Sequence, residues 1–346
     1  MYIKIKKRLD RELNNFIKGV DRSYSLKRLS PILSKEIKGF LGGKGKRSRP
    51  ILFIVGYMGF AKTAAPNLYK TALSLELLHD FFLIHDDIID RSDMRRGRPS
   101  LHKRFGGYLA GQKGIKFTGE DLSIVAGDVV YAMAIDSFLS IKENAARKEK
   151  ALKNFLQTTI YTGAGEFVEL LSGIKTVKEI KKSDIYKVYD LKTAFYSFAN
   201  PLTTGAILAG ASQADIKRLY KSAIYLGEAF QIKDDILGMF AEENKIGKSS
   251  MTDLREGKKT ILIWYAYHNT RKNDRDRISH ILSKKNVGRG DLSKMRSILR
   301  ESGALDYAKN EISILTCKGL RLLKLSHMKP KYKAFLLNYS KKLLKV

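Results

Sequence analysis

The amino-acid sequence predicts an all-α protein. Apolar residues recur at helical spacing along the whole chain, strand-like alternation is hardly visible, and only 6 of the 346 residues are proline. The chain contains no low-complexity tract and no segment with the composition of a linker. We therefore expect residues 1–346 to form a single all-helical domain.

The first predicted helices flank a glycine-rich, basic segment. Residues about 2–19 and 23–40 have amphipathic helical patterns, and an apolar helix is predicted over Ile51–Ala61. Between them, Gly42–Pro50 reads GGKGKRSRP, which contains four cations but lacks the spacing of a Walker phosphate-binding loop. Taken alone, this segment is best explained as a solvated basic loop.

The next predicted helix ends in aspartates. The pattern over Leu73–Asp90 is apolar and helical, and Gly97 and Pro99 follow soon after its end. Asp86 and Asp90 lie one turn apart near the negative end of the helix dipole, so their charges repel unless a cation is bound. Mg²⁺ shared with substrate phosphates would neutralise them, and the arginines that follow could bind phosphate. A solvated acidic helix end paired with those arginines explains this cluster equally well.

The same pattern recurs near residue 234. Ala229–Gly238 reads AFQIKDDILG, which again puts two aspartates, Asp234 and Asp235, near the end of a long apolar helix. Two such helices are hard to explain by solvation alone, because facing helices of a bundle can project carboxylates into one cavity. The sequence therefore predicts a helical bundle around a deep central cavity.

The remaining segments are predicted to be helical, apart from two, of which one is a polar break at Asn244–Thr260. The glycine-rich stretch Leu101–Glu120 is predicted to be a loop. Lys192 lies in an apolar stretch, where a lysine needs an anion as its partner or must extend to the surface. Gln231, in a later helix, lies one turn before the second aspartate pair. The predicted helices span Asp121–Ile141, Lys153–Gly173, Asp184–Ala209, Asp215–Gly238 and several amphipathic segments of Ile261–Val346.

Charge and cysteine content restrict the classes of function. The formal net charge is +30, from 65 basic and 35 acidic residues, which suggests a polyanionic partner such as nucleic acid, an anionic membrane surface or a phosphorylated substrate. The single cysteine, Cys317, excludes an intrachain disulfide and a multi-cysteine zinc site, so we expect a cytoplasmic protein. The N-terminus does not have the pattern of a signal peptide, and the longest apolar run, Pro50–Phe60, is too short to span a bilayer.

Six segments in order resemble one enzyme family. DDIID and RRG at residues 86–97, GKRSRP upstream, KTAFYSF at 192–198, FQIKDDILG, and the later GK…DLREGK are together similar to head-to-tail trans-prenyl diphosphate synthases. The resemblance covers roughly residues 40–260 and is nearest to the archaeal short-chain enzymes, such as farnesyl and geranylgeranyl diphosphate synthases. It implies the isoprenoid synthase fold, a homodimer and an Mg²⁺-dependent prenyltransferase.

The resemblance implies a role for each motif residue in condensing an allylic diphosphate (dimethylallyl, geranyl or farnesyl) with isopentenyl diphosphate. The metal ligands would be Asp86, Asp90 and Asp234, with Asp87 and Asp235 in support, and three Mg²⁺ ions would be present with diphosphate bound. The allylic diphosphate would be held by Arg95, Lys192, Lys248 and Lys258. Isopentenyl diphosphate would contact Lys46, Arg49, His79 and Arg96. Thr193 and Gln231 would shield the allylic carbocation.

Product length depends on the side chains below the first aspartate motif. Phe82 lies one helical turn below Asp86 on the same face, so its ring could stop chain growth, and the resemblance adds Phe81 to the chain-length position. Both rings are equally well explained as core aromatics. We expect a C15–C20 product.

The chain departs from the family pattern at three places. Gly238 replaces the last aspartate that many members have in the second motif, a change that archaeal members share. GEFVEL replaces a frequent GQxxDL, which leaves the role of Glu166 open, and the glycine-rich segment 106–119 has no assigned role.

Two alternatives compete with a prenyl diphosphate synthase. A class I terpene cyclase of the same fold would not need isopentenyl diphosphate, and it would leave the GKRSRP segment without a purpose. A basic helical protein that binds RNA or a membrane would show salt-dependent binding without Mg²⁺, but it gives no reason for two buried aspartate pairs. We expect no nucleic-acid partner, and transient association with a membrane surface is compatible with the charge.

Overall fold

Helices form nearly all of the regular structure in residues 1–240 and 252–345, the residues that this computed structural model describes. The other regular element in this part of the chain is a hairpin of two short antiparallel strands, β1 (Met94–Arg95) and β2 (Arg98–Pro99). The all-α class predicted from the sequence is therefore confirmed.

The chain divides into two compact units. Unit 1 comprises residues 1–152 and 204–210, and unit 2 comprises residues 153–203 and 211–346. The single domain and the central cavity expected from the sequence stay predictions. The helices that begin in unit 1 are α1 (Tyr2–Tyr24), α2 (Leu26–Leu29), α3 (Pro31–Leu41), α4 (Ser48–Met58), α5 (Leu68–Ile89), α6 (Leu101–Leu109), α7 (Gly119–Leu139) and α8 (Ala145–Ile174), of which α8 continues into unit 2.

Helix α5 lies at the centre of unit 1. Its residues are buried almost continuously from Thr71 to Leu78, and it packs mainly against α7 and α4. Polar caps fix the starts of two neighbouring helices. Ser30 accepts a hydrogen bond from the Leu33 amide at the start of α3, and a Thr118–Asp121 capping box begins α7. The first aspartate motif lies at the C-terminal end of this buried helix.

Unit 2 is built around a second long helix. Its elements are a 3₁₀ helix (Val177–Glu179), α9 (Lys182–Tyr189), a π-helix (Asp190–Ala199), α10 (Asn200–Leu208, which ends in unit 1), α11 (Gln213–Phe240), α12 (Thr252–Arg255), α13 (Ile261–His268), α14 (Lys272–Ser283), α15 (Arg289–Glu301), α16 (Ala304–Lys324) and α17 (Pro330–Leu344). Helix α11 packs mainly against α16 and the π-helix.

Glycines allow these neighbours to approach α11 closely. A Cβ at Gly227 would lie 2.4 Å from Cα of Ala194 in the π-helix, and one at Gly319 of α16 would lie 2.8 Å from Cγ of Leu226. Both distances are shorter than any ordinary carbon–carbon contact. The π-helix therefore rests directly on the face of α11 that carries the second aspartate motif.

The structure corrects one sequence-based prediction. Leu101–Leu109 is a helix, not part of a loop, because Leu101, Phe105 and Leu109 pack inward at four-residue intervals while Gly106 and Gly107 face solvent. Among the described residues, α7 alone is long and apolar enough to cross a membrane, although 44% of its most apolar window is buried and core helices meet the same criteria.

Candidate active site

The first aspartate motif forms the C-terminal end of α5. Asp86 and Asp90 are half-buried, and the backbone amide of Asp90 donates to the carbonyl of Asp86 at 2.8 Å, so the helix continues through both residues. Their side chains leave the same face one turn apart, as the sequence predicted. This face therefore presents two carboxylates, whose oxygens are hard ligands for a metal ion.

Asp87 differs from its two neighbours because it is completely buried. Its Oδ1 accepts a hydrogen bond from Nε of Arg95 at 2.7 Å and a second one from the Nη2 atom of the same guanidinium. The β1–β2 hairpin makes this pairing possible, because Arg96 and Gly97 form its turn with φ angles of 52° and 75°. Asp87 therefore fixes the direction of Arg95.

Arg96 is held in the same way by a carboxylate of α5. Its Nη2 lies 3.0 Å from Oδ1 of Asp80, which is completely buried. Burial raises the pKa of Asp80 to about 7, with Glu76 adding to the increase and Arg96 opposing it. Both arginines assigned to diphosphate thus already have carboxylate partners that orient them.

The basic segment of residues 42–50 is fixed by Arg47, which the sequence analysis did not assign to the site. Arg47 has a φ of 55° and is buried, its Nη1 lies 2.5 Å from Oε1 of Glu76, and its Nε lies 3.1 Å from Oδ1 of Asp10 in α1. Tyr2, also in α1, donates to the Lys46 carbonyl at 2.8 Å. Helix α1 and Glu76 therefore hold the backbone from which Lys46 projects into solvent.

His79 lies among guanidinium groups. Burial, and then the charges of Arg49 and Arg96, hold the pKa of His79 well below its usual value, so the imidazole is neutral. A neutral ring can donate one hydrogen bond and accept another. The structure thus brings together Arg49, His79 and Arg96 of the predicted isopentenyl diphosphate site, whereas Lys46 is exposed on the adjoining loop.

In unit 2, the second aspartate motif is part of a hydrogen-bonded chain. Asp234 is exposed, whereas Asp235 is buried and accepts from the Tyr189 hydroxyl and, at 2.9 Å, from Nε2 of Gln231. Oε1 of Gln231 in turn accepts from the Thr193 hydroxyl at 2.6 Å. Thr193 and Gln231, which were assigned the same role from the sequence, are therefore direct partners.

Lys192 projects from the π-helix towards α8. Its Nζ lies 2.6 Å from Oε2 of Glu166 and also forms an ion pair with Glu169. A Cβ at Gly165 would lie 2.8 Å from Cβ of Leu191, so glycine is needed at this approach of the two helices. Burial opposes the charge of Lys192, but the carboxylates of Glu169 and Glu166 raise its pKa above the usual value, and the ammonium stays charged.

The lysines after the second motif are only partly described. Lys258 forms an ion pair of 2.6 Å with Glu256, and its charge acts on Lys192. Lys259 donates to the carbonyls of Ser172 and Gly173 at the end of α8, at 3.0 and 2.9 Å. Lys248 lies outside the described residues.

The two phenylalanines before the first motif have different surroundings. Phe82 is buried, whereas Phe81 is half-buried and its ring centroid lies 5.0 Å from that of Tyr131 in α7 and 4.6 Å from that of His85. The His85 ring also fills the space beside Gly127, where a Cβ would lie 2.3 Å from Cε1. The assignment of either phenylalanine to the chain-length position stays a prediction.

The ligand set agrees with Mg²⁺ bound jointly by protein and substrate. In the part of the chain that the structure describes, no three histidine, cysteine, aspartate or glutamate side chains are grouped so that they could hold a metal ion by themselves. Mg²⁺ typically binds to one or two carboxylates and takes its other ligands from water and phosphate. Asp86 and Asp90 provide such a pair of oxygen donors.

Comparison with known proteins gives consistent matches over most of the chain. Residues 30–299 match the sequence profile of the family described as polyprenyl synthetase. A short chain isoprenyl diphosphate synthase of Methanocaldococcus jannaschii is 30% identical over 307 residues, which cover 88% of this chain and 84% of that protein. A geranylfarnesyl diphosphate synthase of Aeropyrum pernix is 33% identical over 270 residues, which cover 77% and 79% of the two chains.

Solved structures agree with these sequence matches. The crystal structure of geranylgeranyl pyrophosphate synthase from Corynebacterium glutamicum, complexed with isoprenyl diphosphate and magnesium, has a TM-score of 0.89 and 25% identity, and the match covers 100% of this chain and 99% of that one. The geranylgeranyl pyrophosphate synthetase of Pyrococcus horikoshii has a TM-score of 0.83 at 23% identity. The fold is therefore the one that these synthases share.

Proposed function

This chain belongs to the polyprenyl synthetase family, and on that premise we propose that it condenses an allylic diphosphate with isopentenyl diphosphate to give a short-chain prenyl diphosphate. The reaction proceeds by loss of diphosphate from the allylic substrate, attack of the isopentenyl double bond on the resulting cation, and transfer of a proton from the extended cation to the departed diphosphate. The starters are dimethylallyl, geranyl and farnesyl diphosphate. The products have 15 to 20 carbons.

The carboxylates of the two motifs hold Mg²⁺ in this proposal. Asp86 and Asp90 of α5 and Asp234 of α11 are the ligands, and three ions are present once diphosphate is bound. Bound Mg²⁺ neutralises the diphosphate and makes it a better leaving group. The half-buried side chains of Asp86 and Asp90, aligned one turn apart, support the assignment within unit 1.

Cationic side chains bind the two diphosphates. Arg95 is aimed by Asp87, and together with Lys192, Lys248 and Lys258 it binds the allylic diphosphate. Isopentenyl diphosphate is bound by Lys46, Arg49, His79 and Arg96. A neutral His79 supports this second assignment, because it lets the ring accept or donate a hydrogen bond without adding a further charge.

The Thr193–Gln231 pair stabilises the carbocation. The Thr193 hydroxyl donates its hydrogen bond to Oε1 of Gln231, so the lone pairs of the threonine oxygen can face a cation. Gln231 is held at its other end by Asp235, so neither dipole has to reorganise when charge develops.

Phe81 and Phe82 limit the length of the product below the first motif.

The observation that carries this proposal is the pairing of Asp87 with Arg95 beside two aligned aspartates, in a chain with this family membership. The experiment is mass analysis of the products formed from each allylic starter, with and without isopentenyl diphosphate and Mg²⁺. Chain extension only when both are present supports a synthase. A hydrocarbon released from the allylic substrate alone would instead indicate a terpene cyclase.

The chain acts as a homodimer in this proposal. The part of α8 in unit 2 has large apolar residues at seven-residue spacing on one exposed face. These are Ile160 (64% exposed), Phe167 (64% exposed) and Ile174 (82% exposed). A seven-residue apolar repeat is the pattern by which helices pack against one another, so a second copy of the chain is the natural partner for this face.

We also propose a cytoplasmic location and no nucleic-acid partner, and the relatives give no support to a membrane-surface association.

A further inference from the structure

Two carboxylates share one ammonium at Lys192. Glu166 and Glu169 both form ion pairs with its Nζ, and the three side chains are largely shielded, with 15%, 25% and 23% of their areas exposed for Glu166, Glu169 and Lys192. One positive charge cannot neutralise two carboxylates. Because the group is largely removed from water, the surplus negative charge is only weakly screened.

The next lysine does not remove this surplus. Lys258 is near enough for its charge to act on Lys192, but its own ammonium forms an ion pair of 2.6 Å with Glu256. Among these five side chains there are two cations and three carboxylates. Within this described group, Lys192 and Lys258 therefore face one more carboxylate than there are ammonium groups.

We propose that Glu166 sets the affinity for diphosphate by competing with it for the Lys192 ammonium. Without substrate, the carboxylate occupies a donor of Lys192. When a diphosphate binds, it must displace or share that donor and is repelled by the surplus charge. The function of this competition is to weaken the hold on inorganic diphosphate after reaction, so that the leaving group departs. The inference rests on the proposed function of Lys192 as a diphosphate ligand.

Glu166, and not Glu169, is the residue to which the competition is assigned. Glu166 is the less exposed of the two, with 15% of its side chain exposed against 25% for Glu169, and glutamine is its isosteric neutral variant. Glutamine keeps an oxygen that can accept from Lys192 and removes only the charge. Glu169 then remains as a single carboxylate opposite a single ammonium.

The first experiment compares Glu166→Gln with the wild-type enzyme. We expect the KM for the allylic diphosphate and the inhibition constant of inorganic diphosphate to fall together, each by about tenfold for one charge in a half-buried site. The KM for isopentenyl diphosphate should stay the same. Glu301→Gln is the control, because it removes one negative charge from an exposed position of the same unit, where its Oε1 accepts from Ser297.

A double-mutant cycle with Lys192→Ala tests whether the effect acts through the ammonium. Glu166→Gln should have little effect on the inhibition constant in the Lys192→Ala background, because there is then no donor to compete for. If Glu166→Gln does not fold, Glu166→Ala is measured in the same way with the same expected direction. An unchanged or raised inhibition constant in an active enzyme would overturn the inference, as would an equal decrease in both backgrounds. A wild-type enzyme without prenyl transfer would instead overturn the proposed function.

Discussion

The Tyr189 hydroxyl donates a hydrogen bond to Oδ2 of Asp235, and the same hydroxyl oxygen accepts one from the backbone amide of Ile261 at 3.0 Å. Tyr189 thereby ties the second aspartate motif to the start of α13, just after the segment that carries Lys258 and Lys259. Asp235 in turn holds Gln231. One buried phenol thus supports two parts of the proposed site.

Tyr189→Phe should impair catalysis more than binding. Loss of the hydroxyl frees Asp235 to turn away from Gln231, and we expect kcat to fall by about tenfold, as when a supporting hydrogen bond is lost, with little change in either KM. Steady-state kinetics measures this. Tyr186→Phe is the matched control, since the Tyr186 hydroxyl donates to Glu311 and not to the motif. Equal effects of both substitutions would show that Tyr189 has only a general structural role.

Asp86→Ala should remove Mg²⁺-dependent release of diphosphate. Because Asp86 is a proposed metal ligand, we expect turnover to fall by at least about 10²-fold, while the thermal unfolding midpoint changes little because the side chain is half-buried at a helix end. A diphosphate-release assay over a range of Mg²⁺ concentrations measures the loss. Asp136→Ala, at an exposed position of α7 that accepts from Tyr24, should retain activity. Full activity of Asp86→Ala would exclude the metal assignment.

Phe82→Ala should lengthen the product. Removing the ring one turn below Asp86 opens space for at least one further isoprene unit, since a helical turn rises about 5.4 Å. Mass analysis of the extracted products measures the change, and Phe81→Ala shows whether the half-buried ring also contributes. The cavity will destabilise the fold by about 3–5 kcal/mol, so chemical denaturation must confirm that the variant is folded. An unchanged product from a folded variant would reject Phe82 as the limit on length.

Glu228→Gln should make stability less dependent on pH. Burial, and then the charge and hydrogen bond of Asp190, raise the pKa of Glu228 from 4.5 to about 8, so the folded state keeps a proton that the unfolded state releases. Wild-type stability should therefore decrease as the pH rises from about 4.5 to about 8. Glutamine has no proton to lose, so we expect the variant to gain on the order of 1–3 kcal/mol relative to wild type across this range. Urea unfolding at pH 5 and pH 8.5 measures the difference, and an equal difference at both pH values would contradict it.

Phe167→Glu should weaken the proposed homodimer. The substitution places a charge in the middle of the exposed apolar face of α8, where 64% of Phe167 is exposed, so any partner helix would have to bury that charge. Light scattering after size exclusion should show a monomer at concentrations where the wild type is a dimer. Asn310→Glu adds the same charge at an exposed position of α16 and is the control. A dimer that withstands Phe167→Glu would exclude this face.

The sequence predicted local features better than distant partners. The helical spacing of α5 was sufficient to place Asp86 and Asp90 on one face, because that relation depends only on the geometry of a single helix. It could not identify Arg47, whose partners Asp10 and Glu76 lie 37 and 29 residues away in the chain. The sequence showed only a glycine-rich basic segment, which taken alone was explained as a solvated loop, and the left-handed φ of Arg47 is visible only in the structure.

The missed helix α6 has a different physical reason. Glycine weakens a helix by exposing its backbone and increasing the entropy lost on folding, so a glycine-rich stretch favours a loop on local grounds. Burial of Leu101, Phe105 and Leu109 outweighs that cost in the folded chain. The same limit applies to Glu166, whose ion pair with Lys192 joins two helices and leaves no local pattern.

The π-helix at residues 190–199 gives this region an unusual sensitivity to length. It directs Lys192 towards α8 and Thr193 towards α11, and its turns are wider than those of an α-helix. Deleting one residue within it would rotate the side chains that follow by about 100° relative to those before it. A single deletion here would therefore act as a change of register: the protein could keep its helices while Lys192 and Thr193 no longer met their present partners at the same time.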